Sequence, residues 1–357
     1  MRVIVVGASG NVGTAVLRRL GREPGTQLVG VARRQPPKVE PYDRVESWHT
    51  IDVAEEAAPE ALIQAMRGAD AVVNLAWGFQ PSRDPAYLRV IGVAGSARVL
   101  DAAVAAQVPH LVHTSSVGVY APKIDNAPVD ETYPTTGVPS SVYSQHKVAA
   151  ERHLDYYERA HPGAIKIARP RPGFILQADA GAALTRYGLP AYLPPQLLRW
   201  LPVLPVDQRL IIPVVHTADV AEAIARIVAT QATGAFNLAA TDPLDRDDIA
   251  RLLGARALDV PARVVRAVVA ATWRAHLQPL DAGWIDLAFS VPLLDSGRAR
   301  AELGWEPQVS PADALGTTIE AMARGRGIAG SVLRPHSVRD EARRLLRDGP
   351  RGRRRLS

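Results

Sequence analysis

Tyr143 and Lys147 stand four residues apart in Tyr143-Ser144-Gln145-His146-Lys147, a spacing that puts both side chains on one face of a helix. A tyrosine at its ordinary pKa of about 10 is a poor base at neutral pH, and a neighbouring ammonium favours the phenolate. The pair therefore suits proton transfer, and the lysine can also hold a ribose hydroxyl. Lys147 is one of only four lysines in the chain, with Lys38, Lys123 and Lys166. Upstream, a β-type run ends in His113-Thr114-Ser115-Ser116-Val117-Gly118-Val119-Tyr120. A serine just past the carboxyl end of a strand faces the crevice in which open parallel sheets bind ligands. Ser116 can hold a substrate oxygen and stabilise its charge while Tyr143 moves the proton. Ser115 and Thr114 are alternatives, and capping is the plain role of any of the three. His113 and His146 read as strand packing and helix surface. The chain has no cysteine, so thiolate metal sites and disulfides are excluded, and no metal site is expected.

The chain opens on an element that prepares a second ligand. Val3-Ile4-Val5-Val6 runs into Gly7-Ala8-Ser9-Gly10-Asn11-Val12-Gly13 and then a helical pattern. Gly7 permits the tight turn, Gly10 lets backbone approach a pyrophosphate, and Gly13 allows close helix-on-sheet packing, with the anion over the helix N-terminus. An acid at the end of the second strand would bind the adenosine ribose, whereas arginine would meet a 2′-phosphate. This chain has Arg33-Arg34 there and no acid before Glu40, which favours NADP(H), with NAD(H) as the alternative. Asp52, followed by Val53, is placed to accept from the adenine amino group, or to cap a short helix.

Positioning these groups requires strands alternating with helices. Strands are expected at Val3–Val6, Gln27–Ala32, Trp48–Ile51, Ala71–Leu75, His110–Thr114 and Ala164–Ala168. Helices are expected near Val12–Leu20, Pro59–Arg67, Pro85–Gln107 and Tyr143–Ala160. The continuous apolar character of the strands predicts a parallel sheet covered on both faces, a doubly wound α/β fold. Residues 170–210, rich in proline and leucine, read as irregular. A strand and helix follow over Val214–Val228, capped by Thr217 or Asp219, then a strand at Phe236–Ala239. Helices are expected at Arg246–Leu253, Pro261–His276, Ser296–Leu303 and Pro311–Arg324, the last capped by Ser310.

The pI near 9.8 suggests nucleic acid until it is located. Residues 334–357 hold nine arginines against Asp340, Glu341 and Asp348, a surplus equal to the whole chain's net charge of +6. The body is near neutral, so no nucleic-acid groove is implied, and the tail reads as solvated. The most apolar stretch, Ala191 to Val215, is broken by five prolines and cannot make a spanning helix. MRVIVVGASGNVG is not built like a secretory leader, and a cytoplasmic protein is expected.

Taken together, these motifs resemble the extended short-chain dehydrogenase/reductase family, often labelled NAD-dependent epimerase/dehydratase, over about residues 1–325. The resemblance is carried by the glycine loop, Asp52-Val53, Asn74-Leu75-Ala76, Ser115-Ser116-x3-Tyr120, Tyr143-x3-Lys147, Arg169-Pro170, Val215-His216-x2-Asp219-Val220-Ala221 and Leu303-Gly304-Trp305-x-Pro307. It implies a Rossmann domain over 1–170, completed by about 212–240. It also implies a smaller, mostly C-terminal α/β substrate lobe over 171–211 and 241–328, leaving 329–357 as a basic tail. Cofactor contacts would come from Gly7, Ser9, Gly10, Asn11, Val12, Gly13, Arg33, Arg34, Asp52, Val53, Leu75, Ala76, Tyr143 and Lys147. Ser116, Tyr143 and Lys147 would be catalytic. A homodimer pairing the helices near 88–107 and 143–160 is common in such proteins.

The departures bear on substrate. Ser116-Val117-Gly118 replaces the Thr-Asp-Glu run of sugar dehydratases, which argues against dehydration. Ile212 stands where nucleotide-sugar epimerases carry an arginine, although Arg209 is near. Leu189–Pro213 is apolar, with Tyr192 and Trp200, and Trp77 adds an aromatic beside the nicotinamide region. The leading expectation is hydride transfer between NADP(H) and a carbonyl or secondary alcohol of a largely apolar small molecule. The alternatives are an NAD-dependent nucleotide-sugar epimerase and a non-catalytic cofactor sensor.

Overall fold

A computed structural model describes residues 1–78, 83–188, 201–330 and 332–335. Its first strands are β1 (Arg2–Val6), β2 (Gln27–Ala32), β3 (Ser47–Thr50), β4 (Ala71–Asn74), β5 (His110–His113) and β6 (Lys166–Pro172). Between them run α1 (Asn11–Leu20), α2 (Ala58–Met66), α3 (Pro85–Arg89), α4 (Gly95–Ala105) and α5 (Val142–Ala160). Next come β7 (Phe174–Leu176), α6 (Gly181–Gly188), β8 (Val203–Pro205), β9 (Ile211–Ile212), β10 (Val214–His216), α7 (Thr217–Thr230) and β11 (Gly234–Leu238). The chain continues through β12 (Leu244–Asp245), α8 (Arg246–Leu253), β13 (Arg256–Leu258), α9 (Ala262–Arg274), α10 (Ala282–Ser290), α11 (Gly297–Leu303) and α12 (Pro311–Ala323).

Seven strands form one parallel sheet in the order β11-β6-β5-β4-β1-β2-β3. This is the doubly wound α/β fold expected. Alternate residues of β1 serve opposite faces: Val3 and Val5 pack with Leu17, Ile224 and Ile227, and Ile4 and Val6 with Leu62, Val99 and Leu100. Winding reverses between β1 and β4, which opens a crevice at their carboxyl ends where such sheets hold ligands.

The structure corrects several expectations. β6 runs on through Arg169-Pro170-Arg171-Pro172, so the expected domain boundary at 170 falls inside a strand. Two prolines are tolerated because the Pro170 carbonyl, accepting from the Ser115 amide at 2.8 Å, faces the β5 side. The Pro170 and Pro172 nitrogens face that same side, beyond the last residue of β5, while the arginine amides continue the ladder with β11. The single helix expected over Pro85–Gln107 is α3, a π-helical turn at Val90–Ala94, and α4. The cap of α7 is neither Thr217 nor Asp219 but His216, whose Nδ1 accepts from the Ala218 amide at 3.2 Å.

Outside the seven-stranded sheet stand the paired strands β8 with β13 and β9 with β12, together with α8, α9 and α10. α6 and α10 were not expected. Late and middle segments lock together at Asp219: the fully buried Trp305 donates its indole N–H to the Asp219 carbonyl at 2.8 Å. The Gln308 and Val309 amides donate to the Asp219 carboxylate at 3.0 and 3.2 Å. Tyr192, Trp200 and most of the arginine tail lie outside the described residues. No described helix is long and apolar enough to cross a membrane.

Candidate active site

The loop after β1 is built so that no side chain fits at two of its three glycines, Gly7 and Gly13. Gly7 has φ +83°, and a Cβ there would lie 2.9 Å from the Ala76 nitrogen and the Leu75 carbonyl carbon. A Cβ on Gly13 would lie 2.5 Å from the carbonyl oxygens of Gly7 and Ala8. Gly10 differs: its φ of −86° suits any residue, and a Cβ would meet only the Gly7 oxygen at 3.2 Å. As the N-cap of α1 it has no side chain to take the first amide N–H groups, which leaves them for an anion. These features fit a dinucleotide pyrophosphate. Ser9 is buried, Val12 packs on the core, and the Asn11 side chain and carbonyl accept from Gln177 Nε2 at 2.6 and 2.8 Å. Gln177, just beyond β7, ties the middle of the chain to this loop, and nothing local in the sequence announced it.

The residues expected at the adenosine end lie as follows. Arg33 leaves β2 half-buried with its guanidinium 3.4 Å from the Tyr87 hydroxyl of α3, while Arg34 is exposed. The Asp52 carboxylate accepts from the Ala54 amide at 2.9 Å within a turn, and it caps no helix, since α2 begins later with Ala57 as its N-cap. Val53 is buried against Gly95, and its carbonyl accepts from Arg98 Nη1 at 2.9 Å. Leu75 and Ala76 follow β4 beside the glycine loop, the Ala76 amide donating to Asn74 Oδ1 at 3.2 Å.

Ser116, Tyr143 and Lys147 converge at the carboxyl end of β5. Ser116 hydrogen-bonds Tyr143, and its Oγ also accepts from the Gly118 amide at 3.1 Å, so it both caps a turn and serves the phenol. Gly118 leaves room for the ring, since a Cβ there would lie 3.1 Å from Tyr143 Cε1. α5 begins one residue before Tyr143, capped by the Ser141 hydroxyl, which accepts from the Ser144 amide at 3.3 Å. Lys147 is 4% exposed and donates from Nζ to the Thr114 carbonyl at 2.9 Å. The side-chain oxygens of Ser115 and Thr114 are buried without a hydrogen-bond partner among the described residues.

Burial dominates the titration of this set. It pushes the Tyr143 phenol up to about 12, against the opposing pull of the Ser116 hydrogen bond. The expected drift toward phenolate is thus reversed, and the phenol is held in its neutral form. Burial pulls Lys147 down to about 7, opposed by the negative charge of Glu151 one turn further along α5. Glu151 is itself held by a buried bidentate pair with Arg171 of β6, at 2.9 and 2.6 Å. Arg171 also donates to the Tyr120 hydroxyl at 3.0 Å, which in turn donates to Asn237 Oδ1 at 2.6 Å. His113, buried and held well below its ordinary pKa, accepts from Asn74 Nδ2 at 3.2 Å and stays neutral in the strand. His146 is half-buried at the helix surface.

Two tryptophans frame Tyr143. Trp284 of α10 lies 5.4 Å from it at a 32° tilt, and Trp77 meets it edge-on at 6.2 Å. Trp284 arrives from a helix the sequence did not reveal. Arg209, the candidate phosphate contact, is bound to Asp207 at 2.7 and 2.9 Å.

Residues 3–239 match the family model described as the NAD dependent epimerase/dehydratase family. The chain is 31% identical over 193 residues to an L-arabinose 1-dehydrogenase (NAD(P)(+)) of Haloferax volcanii, covering 50% of this chain and 68% of that protein. It is 27% identical over 167 residues to a UDP-glucose 4-epimerase of Mycolicibacterium smegmatis, covering 45% of this chain and 52% of that protein. The chain thus spans about half of that second relative. Among solved structures, the UDP-glucose 4-epimerase of Thermus thermophilus in complex with NAD superposes with a TM-score of 0.66 at 20% identity, over 91% of this chain and 99% of that one. DesIV, a dTDP-glucose 4,6-dehydratase from Streptomyces venezuelae, gives 0.65 at 20% identity, over 90% and 96%. At these identities the structural likeness shows the fold.

Proposed function

Because the chain belongs to the NAD dependent epimerase/dehydratase family, a family of nicotinamide-dependent enzymes, we propose that it is an NADP(H)-dependent oxidoreductase acting on a carbonyl or secondary alcohol of a largely apolar small molecule. The observation that carries this reading is the convergence of Ser116, Tyr143 and Lys147 on one crevice with the glycine loop. The cofactor, when bound, supplies or accepts the hydride. Gly7, Gly10 and Gly13 would admit its pyrophosphate, and Arg33 its 2′-phosphate. Ser116 donates to the substrate oxygen and fixes it beside the phenol. Tyr143, half-buried and neutral, donates its proton to that oxygen during reduction. Lys147 holds the ribose, and its charge compensates the phenolate left behind. Glu151 is a positioning residue whose charge favours the protonated form of Lys147 against its burial, and Arg171 fixes Glu151 in place.

Trp284 and Trp77 beside the phenol favour an apolar ring or chain as substrate. The test is Tyr143→Phe, with turnover expected to fall by at least a hundredfold while NADPH affinity changes less than threefold. Retained turnover refutes the assignment. A second reading, nucleotide-sugar epimerisation with tightly held NAD, is favoured by the Mycolicibacterium smegmatis relative. It predicts that the purified protein carries oxidised cofactor, visible by absorbance. Against it stand Ile212 in place of an arginine and the engagement of Arg209 by Asp207. On either reading two copies would pair along α4 and α5, and Val142 and Tyr156 of α5 are exposed.

A further inference from the structure

Trp77 does more than line the crevice. Its indole face lies on the Lys147 ammonium, with Nζ 3.6 Å from the ring centroid. One N–H of that ammonium is committed to the Thr114 carbonyl. The indole covers the ammonium, which is 4% exposed as a residue. The ring has a prepared seat. Gly92, inside the π-helical turn Val90–Ala94, lies under it, and a Cβ there would come within 3.0 Å of Trp77 Cη2 and Cζ2. Such turns are uncommon and concentrate at functional sites.

We propose that Trp77 is a displaceable cover on Lys147, so that engagement of the cofactor ribose by this lysine and departure of the indole from it are one event. The inference rests on the proposed role of Lys147 toward a nicotinamide dinucleotide. Its physical basis is competition: a desolvated cation on an indole face is a favourable contact that must be given up before the N–H groups can serve hydroxyls. Affinity for cofactor is then lowered by the stability of the covered state, and weakening the cover raises it.

Calorimetric titration of NADP+ into wild type, Trp77→Leu and Gly92→Ala tests this, alongside fluorine NMR of fluorotryptophan-labelled wild type. Trp77→Leu should bind about fivefold to thirtyfold more tightly. Gly92→Ala, which pushes the ring from its seat without touching the ligand, should move in the same direction and stands in if Trp77→Leu does not fold. The resonance missing from Trp77→Leu, or otherwise the one Gly92→Ala displaces, should shift as NADP+ saturates the wild type. Unchanged or weaker binding in both variants, or a stationary resonance at saturation, overturns the cover while leaving the cofactor reading intact. Wild type that binds neither NADP+ nor NAD+ overturns both.

Discussion

Gly10 and Gly13 separate two roles that a glycine loop usually confounds. Alanine at position 13 places a methyl group 2.5 Å from two backbone oxygens, about 0.9 Å inside ordinary contact, and neither oxygen belongs to a side chain that can swing away. The loop or α1 must move by that amount. Overpacking of this kind costs about 1–3 kcal/mol. In a chain of 357 residues that corresponds to a fall in melting temperature of roughly 1–4 °C. Alanine at position 10 meets one oxygen at 3.2 Å on a backbone that accepts any residue, so the fold should lose less than about 0.5 kcal/mol. Its methyl group instead occupies the space over the α1 amides. Thermal melts of both variants, with NADPH titration followed by fluorescence, should therefore split. Gly10→Ala melts like wild type and binds at least thirtyfold more weakly, and Gly13→Ala loses both stability and affinity. Unchanged NADPH affinity in Gly10→Ala would falsify the placement of the pyrophosphate.

Three other expectations follow from the same geometry. Arg33→Asp should weaken NADPH binding at least tenfold more than NADH binding, and equal effects would remove the 2′-phosphate role of a guanidinium that leans on Tyr87. Glu151→Gln leaves Arg171 buried without its charge partner and should destabilise the protein by about 3 kcal/mol. It should also move the pH midpoint of turnover to lower pH, because Lys147 loses the charge that holds its proton; a midpoint that stays put confines Glu151 to structure. Lys147, lowered from 10.5 to about 7, binds fewer protons folded than unfolded between those values, so its burial penalty is full below the lower one and fades toward the upper. Lys147→Met should accordingly raise the melting temperature more near neutral pH than in alkali, and an equal shift at both excludes the buried cation as its source.

What could be read from the sequence was local or periodic. The glycine loop, the Tyr143/Lys147 spacing and the apolar strands each announce themselves within a few residues, and the doubly wound sheet follows from them. The missed parts depend on partners far along the chain. β6 was cut short because prolines speak against a central strand, and only the early end of β5 makes them harmless. Trp284 and Gln177 reach the crevice from segments with no motif. Tyr143 was expected to lean toward its phenolate because its spacing to Lys147 is visible in sequence whereas its burial is not. His216 caps α7 through a ring nitrogen, outside the usual Ser, Thr, Asp and Asn signals.

The clasp at Asp219 sets a rule for anyone who would graft a new specificity onto this scaffold. One carboxylate and its own carbonyl hold Trp305, Gln308 and Val309, so the helix that follows β10 is stitched to the segment between α11 and α12. A chimera that exchanges residues 241–328 from another protein imports a stranger's clasp. It will hold its shape only if the donor also brings an indole and two amides to the same carboxylate.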